Sequence, residues 1–254
     1  MENRREERLQ KLDQTVKKSG RIHLKEAAQL LNVSEMTIRR DLNSGFSPVS
    51  LLGGYIVIEQ NSLPVTHYFV TDQQRKQVVE KHYIGELAAV HVKEGDIVFF
   101  DCGTTIPFVV DAISDDINFT AICYSINTFL VLQNKPKCKV ILCGGEFKPD
   151  NCIFVSISQD SELDHLYPTK AFISAAGISI KYGLTCFTLD EVKMKNYAME
   201  MSRQTILVVD SSKFEQVKSA RFGQLSQLDL VITDSAMPTE FAQYFEQQQI
   251  PVFY

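Results

Sequence analysis

Ser34-Glu35-Met36-Thr37-Ile38-Arg39-Arg40-Asp41-Leu42 reads as a short helix with two unlike faces. Ser34 is placed to accept hydrogen bonds from the free N–H groups of the first turn. Ile38 and Leu42, four residues apart, share one side and point at a core. Met36, Thr37, Arg39 and Arg40 are left to face elsewhere. An apolar back with polar and cationic groups near the start suits a helix that enters a DNA major groove. Ser34, Glu35, Met36, Thr37, Arg39, Arg40 and Asn43 are therefore the expected DNA-contacting residues. Met36 and Thr37 supply apolar and hydroxyl contacts to bases, and the two arginines reach phosphate or guanine.

The flanking residues complete a unit. Leu24-Lys25-Glu26-Ala27-Ala28-Gln29-Leu30-Leu31 is a short amphipathic run, and Asn32-Val33 makes a tight turn into Ser34, a helix-turn-helix arrangement. Upstream, Arg4 to Lys18 is a charged helix with Leu9, Leu12 and Val16 as its buried stripe. Downstream, Val49–Leu52, Gly53-Gly54 and Tyr55–Ile58 read as strand, turn, strand, the wing of a winged helix. An Arg-Arg pair alone is more often a solvated surface. The order of helix, helix, turn, hydroxyl cap, arginine pair and hairpin makes the stronger case.

These residues resemble the N-terminal domain of DeoR-family bacterial repressors, above all in the Ser-x-x-Thr-Ile-Arg-Arg-Asp-Leu core. Many members carry Arg and His before the Gly-Gly of the wing, where this chain has Leu51-Leu52.

Charge is unevenly spread. The 254-residue chain carries −5 overall, yet through Val57 ten basic residues face seven acidic ones, leaving +3 on the head and −8 on the rest. A mildly basic head on an acidic body fits a DNA reader joined to a unit that does not bind DNA. So small a positive charge needs at least two heads, hence a homo-oligomer. No apolar run approaches the roughly 20 residues of a membrane span, and the charged N-terminus is unlike a signal peptide. The six cysteines (102, 123, 138, 143, 152 and 186) lack metal-ligand spacing and read as buried thiols of a cytoplasmic protein.

After Gly-poor, Pro-containing residues 59–72, read as a linker, a helix is expected over Gln73 to Val92. Short apolar strands follow: Ile97–Phe100, Phe119–Cys123, Lys139–Cys143, Lys170–Ser174, Thr205–Val209 and Asp229–Thr233. Strands buried on both faces and alternating with helices make a parallel α/β sheet. Small or functional groups sit where each strand ends. They are Asp101, Gly103, Thr104 and Thr105; Ser125 and Asn127; Gly144, Gly145 and Glu146; Gly177; and Asp210 to Lys213. Ligands of open α/β sheets bind there. Gly103-Thr104-Thr105 suits a phosphate, Lys195 and Lys213 add cations, and Asp101, Glu146 and Glu191 can accept from sugar hydroxyls. Each loop alone reads equally as a cap or a tight turn; five at equivalent strand ends favour a small, polyhydroxylated, anionic ligand.

This half resembles the DeoR-family C-terminal sensor domain, a fold similar to ribose-5-phosphate isomerase and coenzyme A transferases. Cys123-Tyr124-Ser125 stands where many members have Thr-Asn-Ser. The resemblance implies a phosphorylated sugar effector, 2-deoxyribose 5-phosphate, whose missing hydroxyl would face Cys102 or Phe108. The expected protein is thus a winged helix-turn-helix domain (1–58), a linker (59–72) and an α/β sensor and oligomerisation domain (73–254). It acts as a repressor, not an enzyme, without cofactor or metal. One rival is a sugar-phosphate isomerase or transferase using Asp101, Glu146, Glu191 and Lys195 as acid and base. Another is a thiol sensor built on Cys102.

Overall fold

Leu9, Leu12 and Val16 recur at three- and four-residue spacing, and in a computed structural model of the chain they are the buried stripe of helix α1 (Glu2–Ser19). The structure describes residues 2–19, 21–43, 49–52, 55–58, 76–157 and 165–254. The expected Gly53-Gly54 turn and the 59–72 linker lie outside them. The chain divides into two compact units, Met1–Thr66 and His67–Tyr254.

In the first unit, strand β1 (Arg21–His23) leads directly into α2 (Leu24–Leu31), whose start is capped by His23 Nδ1 accepting from the Lys25 N–H at 3.2 Å. Asn32 ends α2 in the left-handed region (φ 50°), which asparagine tolerates better than most residues. Helix α3 (Glu35–Asn43) follows, then β2 (Val49–Leu52) and β3 (Tyr55–Ile58). The two form the expected hairpin, with Leu52 opposite Tyr55. Strand β1, for which no sequence signal was found, pairs with β3 to make a three-stranded antiparallel sheet in the order β1-β3-β2. Leu12, Val16, Leu24, Ala27, Ile38, Val49 and Ile56 close one core. Each large member contributes about 1.5–3 kcal/mol by its burial.

The second unit opens with α4 (Val78–Ala89), β4 (Ile97–Phe100), α5 (Ile106–Ala112), β5 (Phe119–Cys123), α6 (Ile126–Leu132) and β6 (Cys138–Leu142). A hairpin of β7 (Glu146–Lys148) and β8 (Ile153–Val155) precedes β9 (Lys170–Ile173), and β10 (Gly177–Ser179) and β11 (Gly183–Cys186) lead to α7 (Val192–Met201). β12 (Thr205–Val208), β13 (Ala220–Gly223), β14 (Leu230–Ile232), α8 (Thr239–Gln247) and β15 (Val252–Phe253) complete it. Seven strands form the parallel sheet, in the order β15-β14-β12-β9-β4-β5-β6. Successive residues of a strand point to opposite faces, so Val98 and Phe100 pack with α4, α5 and α6, whereas Phe99 packs on the side of α7 and α8. β10, β11 and β13 make a small antiparallel sheet that the sequence reading did not anticipate.

The strand order fixes where a ligand fits. From β4 the chain moves outward through β5 to β6; from β9 it moves the other way through β12, β14 and β15. β4 and β9 are neighbours at this switch point, and the crevice beyond their carboxyl ends is the usual binding place in such sheets.

Candidate functional sites

On α3 the Ser34 hydroxyl accepts from the Thr37 N–H at 3.2 Å and pairs with the Thr37 hydroxyl at 2.9 Å, closing the first turn. Ile38 turns inward and is buried, while Glu35, Met36, Arg39 and Arg40 are exposed; Met36 presents 77% of its surface. Ser34, Met36, Thr37, Arg39 and Arg40 line one open concavity. Asp41, adjoining the arginines in sequence, points the other way. It is buried, its carboxylate accepts from Arg8 Nε at 2.6 Å, and its backbone oxygen accepts from Arg5 Nε at 3.1 Å. It fastens α3 to α1 and so aims the outer face. Asn43 is the last residue of α3.

The second site grows from the ends of β4 and β9. Asp101, fully buried, follows β4 and collects four hydrogen bonds. Oδ1 accepts from the Tyr124 hydroxyl at 2.7 Å; Oδ2 accepts from the Ser174 N–H at 2.8 Å, the Ser174 hydroxyl at 2.5 Å and Lys195 Nζ at 2.5 Å. Lys195 is equally buried, also donates to the Ser174 backbone oxygen at 2.9 Å, and lies 4.9 Å from the centre of the Phe222 ring. Burial alone would push the Asp101 carboxyl up; Lys195 and the three other donors outweigh it and hold the group below its ordinary range. Burial would likewise strip the Lys195 proton, but the Asp101 charge keeps it on. Gly103 fits here because a Cβ would stand 2.0 Å from the Ser174 hydroxyl oxygen.

Above this pair a cavity is lined by Cys102, Gly103, Thr104, Thr105, Asn151, Ser174, Glu191, Lys195, Asp210 and Lys213, among others. Of the expected effector residues, the structure thus brings Gly103, Thr104, Thr105, Glu191, Lys195 and Lys213 together, with Asp101 supporting them from beneath. Ser125, Asn127, Gly144, Gly145, Glu146 and Gly177 are not part of this lining. Glu146 is exposed on β7 and pairs with Lys148 at 2.9 Å. Gly145 serves the chain path: its φ is +141° and a Cβ would meet the Val155 backbone oxygen at 2.1 Å. Ser125 and Asn127 begin α6, and Ser125 bridges to Ile153 of the β7–β8 hairpin. Phe108 does not reach the cavity; its ring packs against His82 at 4.6 Å. Cys102 does line it.

Sequence reasoning missed Asn151, Ser174 and Thr188. Asn151 and Thr188 both hydrogen-bond Glu191 Oε1, at 3.0 and 3.3 Å. Asn151 sits in the turn of the β7–β8 hairpin, where no local pattern marks it as a lining residue. Lys81 was also missed. It is fully buried on α4 and donates to the Lys76 backbone oxygen at 2.7 Å; burial pushes its ammonium down to about 8, against the pull of the Asp210 charge.

The acid–base set of the enzymatic alternative is not assembled, since Glu146 is at the surface and Asp101 is saturated with donors. The thiol of Cys102 touches Glu191 Oε2 at 3.5 Å and Tyr124 Oη at 3.1 Å. Burial and the Asp101 and Glu191 charges push it well above the ordinary thiol range, which suppresses the reactive thiolate. Burial similarly pushes Cys123 and Cys186 up to about 12.

Comparison with known proteins agrees with both halves. Residues 8–61 match the DeoR-like helix-turn-helix domain, and residues 76–235 match the DeoR C-terminal sensor domain. The chain belongs to the DeoR family. Among family relatives, the deoxyribose operon repressor of Escherichia coli K12 is 49% identical across 100% of both chains. The lactose phosphotransferase system repressor of Streptococcus mutans is 30% identical, covering 91% of this chain and 92% of that one. Among solved structures, ribose 5-phosphate isomerase A of Methanocaldococcus jannaschii aligns over 53% of each chain at 14% identity and a TM-score of 0.40. The sequence family is regulatory. Among the described residues no helix is long and apolar enough to cross a membrane.

Proposed function

We propose that this DeoR-family DNA-binding repressor governs a deoxyribonucleoside or deoxyribose catabolic operon and is released from its operator by 2-deoxyribose 5-phosphate. The observation that carries the effector reading is the chemistry of one cavity at the sheet's switch point. Lys213 and the Thr104 hydroxyl suit a phosphate, while Glu191 and Asn151 supply acceptors for hydroxyl groups. The full-length likeness to the deoxyribose operon repressor supports the choice of sugar. The α3 face reads the operator, with Met36 and Thr37 on bases and Arg39 and Arg40 on guanine or phosphate. The protein acts in the cytoplasm as at least a dimer, two heads reading a repeated or palindromic site. The effector binds one conformation of the body more tightly than the other, and that difference moves the heads off the DNA.

Lys213→Ala and Thr104→Ala test the pocket. Both variants should hold operator DNA as the wild type does yet need a higher concentration of 2-deoxyribose 5-phosphate to release it. Release of both at the wild-type concentration means that the effector binds elsewhere.

A further inference from the structure

Asn151 occupies a position that the proposed effector explains and the protein alone does not. It is 4% exposed and lines the cavity. Its amide has two protons, and both are used: Nδ2 donates to Thr188 Oγ1 at 2.9 Å and to Glu191 Oε1 at 3.0 Å. An ionised carboxylate accepts only, so this second bond fixes which end of the amide is nitrogen. Oδ1 is then left buried without a hydrogen-bond partner, a costly condition in a folded protein.

The backbone holds the side chain there. Cys152, the next residue, adopts φ 53° although it is not glycine, and its carbonyl accepts from the Ile126 N–H at 2.9 Å. Backbone in that region persists where its surroundings enforce it, often at ligand clamps.

An orphan acceptor requires a donor. A phosphate dianion carries acceptors and cannot supply one, whereas a sugar hydroxyl can. We propose that Asn151 Oδ1 accepts a hydrogen bond from a hydroxyl of the bound sugar phosphate, with the phosphate on the Lys213 side, and so makes Asn151 a residue that selects the sugar. This rests on the effector reading above. It divides the cavity by chemistry into an anion end and a hydroxyl end. Asn151 is preorganised for that task because Glu191 and Thr188 already hold its amide.

The test titrates the full-length protein with 2-deoxyribose 5-phosphate and, separately, with inorganic phosphate. Asn151→Ala should weaken the sugar phosphate about ten-fold, the effect of one lost hydrogen bond to a buried acceptor, and leave inorganic phosphate unchanged. Should the alanine variant not fold, Asn151→Ser, too short to reach the same point, carries the same comparison. An unchanged affinity for the sugar phosphate overturns the assignment, and so does an equal loss for both ligands, which would mark a merely structural residue. If the wild type binds neither ligand, the effector reading itself fails and takes Asn151 with it. If the wild type binds both and only the variant result is negative, the effector reading stands and the role of Asn151 falls.

Discussion

The cations of the two units are in opposite situations. Arg39 and Arg40 stand exposed on α3 and make no ion pair among the described residues. Lys195 is buried and bound to Asp101, to the Ser174 backbone oxygen and, more loosely at 3.6 Å, to Glu191. The arginines are already hydrated and lose little by waiting for DNA. The lysine keeps its charge in the sheet crevice through Asp101, and without that partner it would do so only at a heavy cost. A positive residue at the right place in a motif therefore has two uses, and burial decides between them: the exposed arginines are available to a partner molecule, whereas Lys195 is committed to Asp101 and holds the floor of the cavity.

Breaking that floor should give the largest effect. Asp101→Asn leaves the Lys195 charge buried without its counter-ion and should destabilise the second unit by about 3–5 kcal/mol. Urea unfolding measures it, and near-wild-type stability would mean that Lys195 is not locked after all. The same pair sets a pH dependence. Asp101 is held below its ordinary value of 3.8 in the folded chain, so its stabilising contribution is complete above about that pH and is lost as pH falls through the lower folded value. Acid unfolding of the wild type and of Asp101→Asn should therefore converge at the acid end; a gap that stays constant down to complete unfolding would assign the effect to another group.

On the outer face the expected pattern reverses. Arg39→Ala or Arg40→Ala should leave stability within about 0.5 kcal/mol, while operator binding weakens by about 1–3 kcal/mol if the residue reads a base. A phosphate contact would instead weaken all sequences alike and flatten the salt dependence. If either variant melts early, the arginines are structural too and the contrast disappears. Ser34→Ala, which removes only the cap of α3, should cost the head about 1 kcal/mol. A thermal melt of the head that does not move would show that the Ser34 hydroxyl has no capping role.

How far the sequence revealed these features depended on how local they are. The α2–turn–α3 arrangement was legible because its cap, its turn and its buried Ile38 all lie within about two helical turns of one another. Asp41 belonged to the recognised motif, yet its partner Arg8 is 33 positions away, and only the fold shows that it points inward. Strand β1 escaped because three residues abutting a helix carry no period and no turn signal. The parallel strands were visible as apolar runs, whereas β10 and β11 form a hairpin of strands only three and four residues long, and β13 joins it from far along the chain. Within the cavity, Thr104, Thr105 and Lys213 follow strand ends and were found there. Asn151 comes from a hairpin turn whose reach depends on the packing of β8 beside α6. Glu146 and Gly145 looked like ligand groups because they follow a strand, but the chain uses them to begin that hairpin.

The span of the Asp101 network has a consequence for the newly made chain. Its partners are 23, 73 and 94 positions from Asp101, at Tyr124, Ser174 and Lys195. The helices and strands that support α3 are complete by Ile58. Chains fold from the N-terminus as the ribosome delivers them, and contacts between distant residues form late. The recognition helix and its supports therefore leave the ribosome well before Lys195 and Lys213 do. During its own synthesis the polypeptide completes the surface proposed to face DNA before it completes the pocket proposed to receive the signal for release.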